Sequence, residues 1–253
     1  MSFDVTADAY ARFMGRFSEP LAAEFSRWAG VRPGDRALDV GCGPGALTAR
    51  LVETVGAGAV SAIDPSEPFV RACRDRFPDV DVGETVAAES LPFAAQTFDV
   101  VLAQLVVHFM REPVAGLSEM ARVTRPGGIV ATCVWDHSGD RGPLSGFWTA
   151  VHDLDPAAPG EASLVGAREG ELAEISRRAG LKDIESGLVT VRVHCRDFDD
   201  WWEPFTLGVG PAGSYVAALD PPAREALGQH YAGMLPRGPF DVLASAWAVR
   251  ARA

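Results

Sequence analysis

The chain has 253 residues, 47% hydrophobic and 23% charged, which suits one α/β domain carrying an added cap and excludes a disordered chain. Its 23 basic residues stand against 34 acidic ones, a net charge of −11; this disfavours nucleic-acid binding and docking on anionic lipid. No apolar run is long enough to cross a bilayer, no basic and apolar leader opens the sequence, and Cys42, Cys73, Cys133 and Cys195 show no C-x-x-C spacing. The expectation is a cytoplasmic protein with no membrane insertion, no redox pair and no metal site.

In chain order, a first helix is predicted over Glu19 to Ala29, capped by Ser18 and stopped by Gly30, with Leu21, Phe25 and Trp28 on one face. A strand follows at Arg36 to Val40, a glycine cluster, and a helix from Ala46 to Val55. A second strand, Ala59 to Ile63, ends at Asp64, and Ser66-Glu67-Pro68 opens the next helix. Further strands are predicted near Val80 to Val86 and at Phe98 to Ala103, a helix over Pro113 to Thr124, and a strand from Ile129 to Trp135 apolar enough to be buried on both faces. Beyond it the pattern gives a helix over Glu169 to Ala179 and strands over Gly187 to Cys195 and Phe240 to Val249. These strands make a Rossmann-like, seven-stranded, mostly parallel sheet with helices on both faces. Asp197 to Arg237, rich in aromatic residues, reads as a helical lid inserted between the two late strands, so residues 1–253 form one domain with 197–237 as a lid within it.

The strongest motif is Leu38-Asp39-Val40-Gly41-Cys42-Gly43-Pro44-Gly45, at the carboxyl end of the first strand. Glycines there let the backbone turn sharply and approach a ligand, at the usual crevice of an open α/β sheet. A dinucleotide loop is met loosely by Gly41, Gly43 and Ala46. Pro44 removes an amide that a pyrophosphate would use, and Asp39 adds negative charge nearby, so a cationic, phosphate-free ligand suits the loop better. Asp64 can accept the hydroxyls of a ribose from either ligand class.

Leu38 to Gly45 resembles the first motif of class I S-adenosylmethionine-dependent methyltransferases. Ala62 to Ser66 resembles their second-strand acidic motif, Ala88 to Phe93 with Phe98 to Val101 their adenine loop and fourth strand, and Arg122 to Gly128 the turn before their fifth strand. The resemblance covers Tyr10 to Trp135, and the subgroup is similar to the small-molecule methyltransferases of ubiquinone and menaquinone biosynthesis. It implies S-adenosylmethionine as cofactor, with Gly41, Cys42, Gly43 and Gly45 against its methionine part and ribose and Asp39 near the methionine ammonium. It further implies that Asp64, with Pro65 beside it, takes the ribose hydroxyls, that Ala88 and Glu89 flank the adenine, and that the Gln104 backbone meets the ammonium. Family members often carry Asp where this chain has Ala87, which leaves the adenine amino group to Glu89 or a main-chain carbonyl. Tyr10, Met14 and Arg16 are similar to an N-terminal segment that closes over the cofactor.

His108 follows the fourth strand and projects toward the expected acceptor crevice, which makes it the candidate general base; His137 follows the fifth. Trp201, Trp202 and Phe205 either pack the lid or line an acceptor pocket, and Asp197, Asp199, Asp200 and Glu203 read as a solvated face. The expected function is methyl transfer to a small-molecule acceptor, whose identity, like the oligomeric state, the sequence leaves open. The alternatives are a non-catalytic nucleoside-binding module and a nicotinamide-dependent oxidoreductase.

Overall fold

A computed structural model describes residues 11–253; Tyr10 lies outside them. One seven-stranded sheet runs in the order β3-β2-β1-β4-β5-β7-β6. Its strands are β1 (Ala37–Val40), β2 (Val60–Asp64), β3 (Asp81–Thr85), β4 (Phe98–Gln104), β5 (Thr124–Trp135), β6 (Lys182–Cys195) and β7 (Phe240–Arg252). The pairings among β1 to β5 are parallel, while β7 runs antiparallel to both β5 and β6. Parallel neighbours need crossover helices, so both faces of the central strands are covered. Side chains alternate accordingly, with Val100 and Leu102 in one core and Val101 and Ala103 in the other.

The first core is closed by α1 (Arg16–Ala29), α2 (Ala46–Val55) and α3 (Glu67–Arg76), the second by α4 (Pro113–Val123) and α6 (Glu171–Arg178). Strand order reverses between β1 and β4, and the crevice at their carboxyl ends is where such sheets bind ligands.

Several boundaries differ from expectation for local reasons. The chain is already helical before Glu19, as a π-helical turn (Ala11–Gly15) continuing into α1, so Ser18 lies buried inside the helix and its hydroxyl donates to the Gly15 carbonyl instead of capping. β5 begins at Thr124 because Pro126-Gly127-Gly128 is a bulge against β4, the register jumping from Phe98↔Thr124 to Val100↔Ile129. β6 likewise starts at Lys182, before an irregularity at left-handed Asp183. An additional helix, α5 (Ser145–Leu154), buries Phe147, Trp148 and Val151.

The insertion between β6 and β7 is helical: α7 (Phe198–Trp202), a 3-10 segment (Glu203–Leu207), α8 (Gly210–Ala218) and α9 (Pro221–Met234). Trp201, Phe205 and Tyr231 are buried in the first core. The Phe205 ring lies 4.8 Å from Phe13 and 4.7 Å from Phe147, and Trp201 Nε1 donates to Tyr231 Oη at 3.0 Å. The aromatic residues of the lid are therefore core packing. No helix among the described residues is long and apolar enough to cross a membrane.

Candidate active site

The loop after β1 is fastened to β2. Gly41 and Cys42 donate their amides to the Ile63 carbonyl, and Gly43 donates to Asp64 Oδ2 at 2.9 Å. Ser66 N–H donates to the other carboxylate oxygen at 2.8 Å. Asp64 is thus aimed by two amides, each of its oxygens keeping a lone pair for a further donor such as a ribose hydroxyl. Burial pushes its pKa up, against the pull of those two amides.

Gly41, Gly43 and Gly45 all have left-handed backbone, but for different surroundings. A Cβ on Gly41 would sit 2.5 Å from Val106, and one on Gly45 2.6 Å from Phe77, whereas one on Gly43 would meet nothing within 4 Å. The first and third glycines serve packing; the second faces the open cleft.

That cleft, about 320 Å³, is lined by Ser18, Asp39, the loop and Gln104 with Leu105 at the end of β4. Asp39 is 1% exposed and accepts a 2.7 Å hydrogen bond from Thr48 Oγ1. Burial, reinforced by the nearby Asp64, pushes its pKa up to about 7. Gln104 Nε2 donates to the Ser18 carbonyl while its Oε1 is buried without a partner. Two acceptors without a cation, and no lysine or arginine among the described lining residues, fit the ammonium end of S-adenosylmethionine and do not fit a pyrophosphate.

The remaining candidates stand elsewhere. Cys42 turns its thiol into the core beside Cys73, and Pro65 is exposed next to Asp64. Ala88 is buried under α4, and Glu89 accepts from the amides of Arg111 and Glu112, so its carboxylate anchors the start of α4. Arg16 is held by Asp200, through the carboxylate and the main-chain carbonyl at 3.1 Å each, and Arg12 pairs with Glu203. Those acidic residues tie the N-terminal helix to the lid; they are not merely a solvated face, and Arg16 is not among the residues that line the cleft.

Beside the cleft lies a second cavity of about 520 Å³, and Leu105 lines both. Leu105 holds a left-handed backbone (φ 61°), an uncommon conformation for a non-glycine residue that marks the junction. His108 and His137 line this cavity with ring centres 6.5 Å apart, joined by Met14, Trp135 and lid residues Val209 to Ala212. Burial, and each other's proximity in the case of His108, push the pKa of His108 down to about 3 and that of His137 to about 4. Both rings are neutral near pH 7, and His108 is a weak proton sink. Sequence reasoning missed Glu161, which is 8% exposed, lines the same cavity and accepts from Trp148 Nε1 at 2.7 Å. Its irregular loop carries no motif, so nothing in the sequence marked it.

The family described as a methyltransferase domain matches residues 38–132. An uncharacterized methyltransferase of Schizosaccharomyces pombe is 35% identical over 113 residues, 40% of this chain and 40% of that protein. A demethylmenaquinone methyltransferase of Mycobacterium sp. (strain KMS) is 41% identical over 104 residues, 41% of this chain and 43% of that protein. The chain spans under half the length of these curated relatives. Among solved structures, a SAM-dependent methyltransferase of Aquifex aeolicus has a TM-score of 0.51 at 24% identity, over 71% of this chain and 87% of its own. The YcgJ protein of Bacillus subtilis has a TM-score of 0.57 at 17% identity, over 92% and 97%, a likeness of fold. Residues 38–132 match the methyltransferase-domain family, and the fold is similar to that of class I S-adenosylmethionine-dependent methyltransferases. More particularly, the matched segment resembles the methyltransferases of ubiquinone and menaquinone biosynthesis.

Proposed function

We propose that the protein transfers a methyl group from S-adenosylmethionine to a small molecule held in the cavity beside His108. The observation that carries this reading is the junction at Leu105, where a cleft suited to the cofactor meets a second cavity suited to an acceptor. The cofactor supplies a methyl carbon already activated by a sulfonium. The protein's task is then to hold and align the reactants away from water, and orientation of this kind is worth roughly 7–11 kcal/mol.

In this reading Asp39 and Gln104 Oε1 take the ammonium, Asp64 takes the ribose hydroxyls and the Gly43 backbone lets the ligand approach. His108 and Glu161 face the acceptor. The neutral imidazole of His108 serves as a hydrogen-bond acceptor that orients the nucleophile. Neither alternative finds support: no cation for a pyrophosphate lines the cleft among the described residues, and a cavity of about 520 Å³ adjoins it. Calorimetric titration with S-adenosylhomocysteine, with NADH as control, tests the reading. Micromolar binding of the first and none of the second is expected; the reverse preference would overturn it.

A further inference from the structure

Resting on the function proposed above, we infer that the acceptor is an amine without an anionic group, held as its ammonium by Glu161 between aromatic walls.

The argument begins with Glu161, a carboxyl group more than nine-tenths buried at the edge of the acceptor cavity. Among the described residues its one basic neighbour within 4.0 Å is His137, whose Nδ1 lies 3.9 Å away, beyond hydrogen-bonding distance. Burial keeps that imidazole neutral, so it is no counter-ion. Trp148 donates one hydrogen bond to Glu161, and the counter-charge is missing. A buried carboxylate without a cation is costly, and a ligand cation would relieve that cost.

Two further features select an ammonium. His108 Nδ1 is buried without a partner, and a neutral imidazole can accept a proton donor there. Phe13, Phe109 and Trp135 line the same space, and aromatic faces attract cations. No lysine or arginine lines it among the described residues, which leaves nothing to pair with a carboxylate or phosphate on the acceptor. The cavity is built mostly from residues beyond 132, outside the matched family segment.

The proton balance also fits. An ammonium must lose one proton before its nitrogen can attack; the nitrogen gains the methyl group, the carbon–sulfur pair stays with sulfur, and one proton is released. Glu161, whose pKa burial raises, can take that proton. It also lines a separate open cavity of about 390 Å³ with His152 and Asp140, a way out toward solvent for the proton.

The test uses 2-phenylethylamine, 2-phenylethanol and 3-phenylpropanoate as probes, titrated into the protein loaded with S-adenosylhomocysteine. The amine is expected to bind at least about tenfold tighter than the alcohol, and the carboxylate more weakly than either. Glu161→Gln keeps the shape and removes the charge; it should abolish the amine's advantage and leave S-adenosylhomocysteine affinity unchanged. Equal affinity of amine and alcohol for the unaltered protein, or a preference that survives Glu161→Gln, would overturn the inference. Failure of S-adenosylhomocysteine to bind in the separate titration would instead overturn the cofactor reading beneath it. The probe comparison needs no variant, so misfolding of Glu161→Gln cannot blunt it.

Discussion

Asp39 holds a carboxyl group under the glycine loop where burial raises its pKa to about 7 from 3.8. Between those values the folded chain keeps a proton that the unfolded chain releases, so this residue's stability contribution is lost as pH rises through that range. Asp39→Asn removes the cost, which is on the order of 4 kcal/mol. At pH 8 the variant should melt higher than the parent in thermal denaturation, yet bind S-adenosylhomocysteine more weakly, because its ammonium loses a charged partner. A variant that melted lower and bound equally well would separate Asp39 from the cofactor. The glycines offer a second contrast. Gly41→Ala drives a Cβ to 2.5 Å from Val106 on top of left-handed strain and should destabilise the fold more, whereas Gly43→Ala carries the left-handed strain alone and should also weaken binding. Melting temperatures and titrations of the two variants would show whether those effects divide as stated. Asp39, Gly43 and Asp64 were legible in the sequence because they stand in motifs at the carboxyl ends of β1 and β2 that resemble those of class I methyltransferases. Glu161 was not, since its role comes from a fold that carries an irregular loop to His137.

At the level of elements, the lid is welded to the body. Trp201, Phe205 and Tyr231 fill the first core, and Arg16 and Arg12 bind Asp200 and Glu203 across to α1 and the turn before it. Deleting residues 197–237 would expose that core, so the lid is better tested by a point change. Ala212, fully buried at the start of α8, lines the acceptor cavity. Ala212→Leu adds bulk there and should weaken binding of 2-phenylethylamine by about tenfold or more, at a stability cost of about 1–3 kcal/mol, with S-adenosylhomocysteine binding retained. Unchanged amine binding would remove α8 from the cavity wall. The insertion itself was legible from its aromatic-rich helical pattern between two strands. α5 was missed although Phe147, Trp148 and Val151 fall at helical spacing, because the segment that precedes them, with Gly139, Gly142 and Pro143, carries no helix-start signal.

For the whole molecule, a mostly parallel seven-stranded sheet was legible from alternating apolar runs and helices, but not the place of β7, antiparallel between β5 and β6, and the bulges at Pro126 and Asp183 made β5 and β6 start well before their predicted positions. Acid stability reflects the cavity. His108 and His137 titrate near 6.5 when unfolded but at about 3 and about 4 in the fold. The unfolded chain therefore binds protons that the folded chain refuses, and their contribution to stability falls as pH drops below 6.5 toward 4. His137→Asn should flatten the fall in melting temperature over that interval; an unchanged slope would place the acid sensitivity elsewhere. The measurement that tests the central claim most directly is a crystal structure of the protein with S-adenosylhomocysteine. The account predicts its amino group at Asp39 and Gln104, its ribose on Asp64 and its sulfur facing Leu105 where the two cavities meet. A nucleoside seated in the His108 cavity, or a sulfur turned away from Leu105, would contradict it.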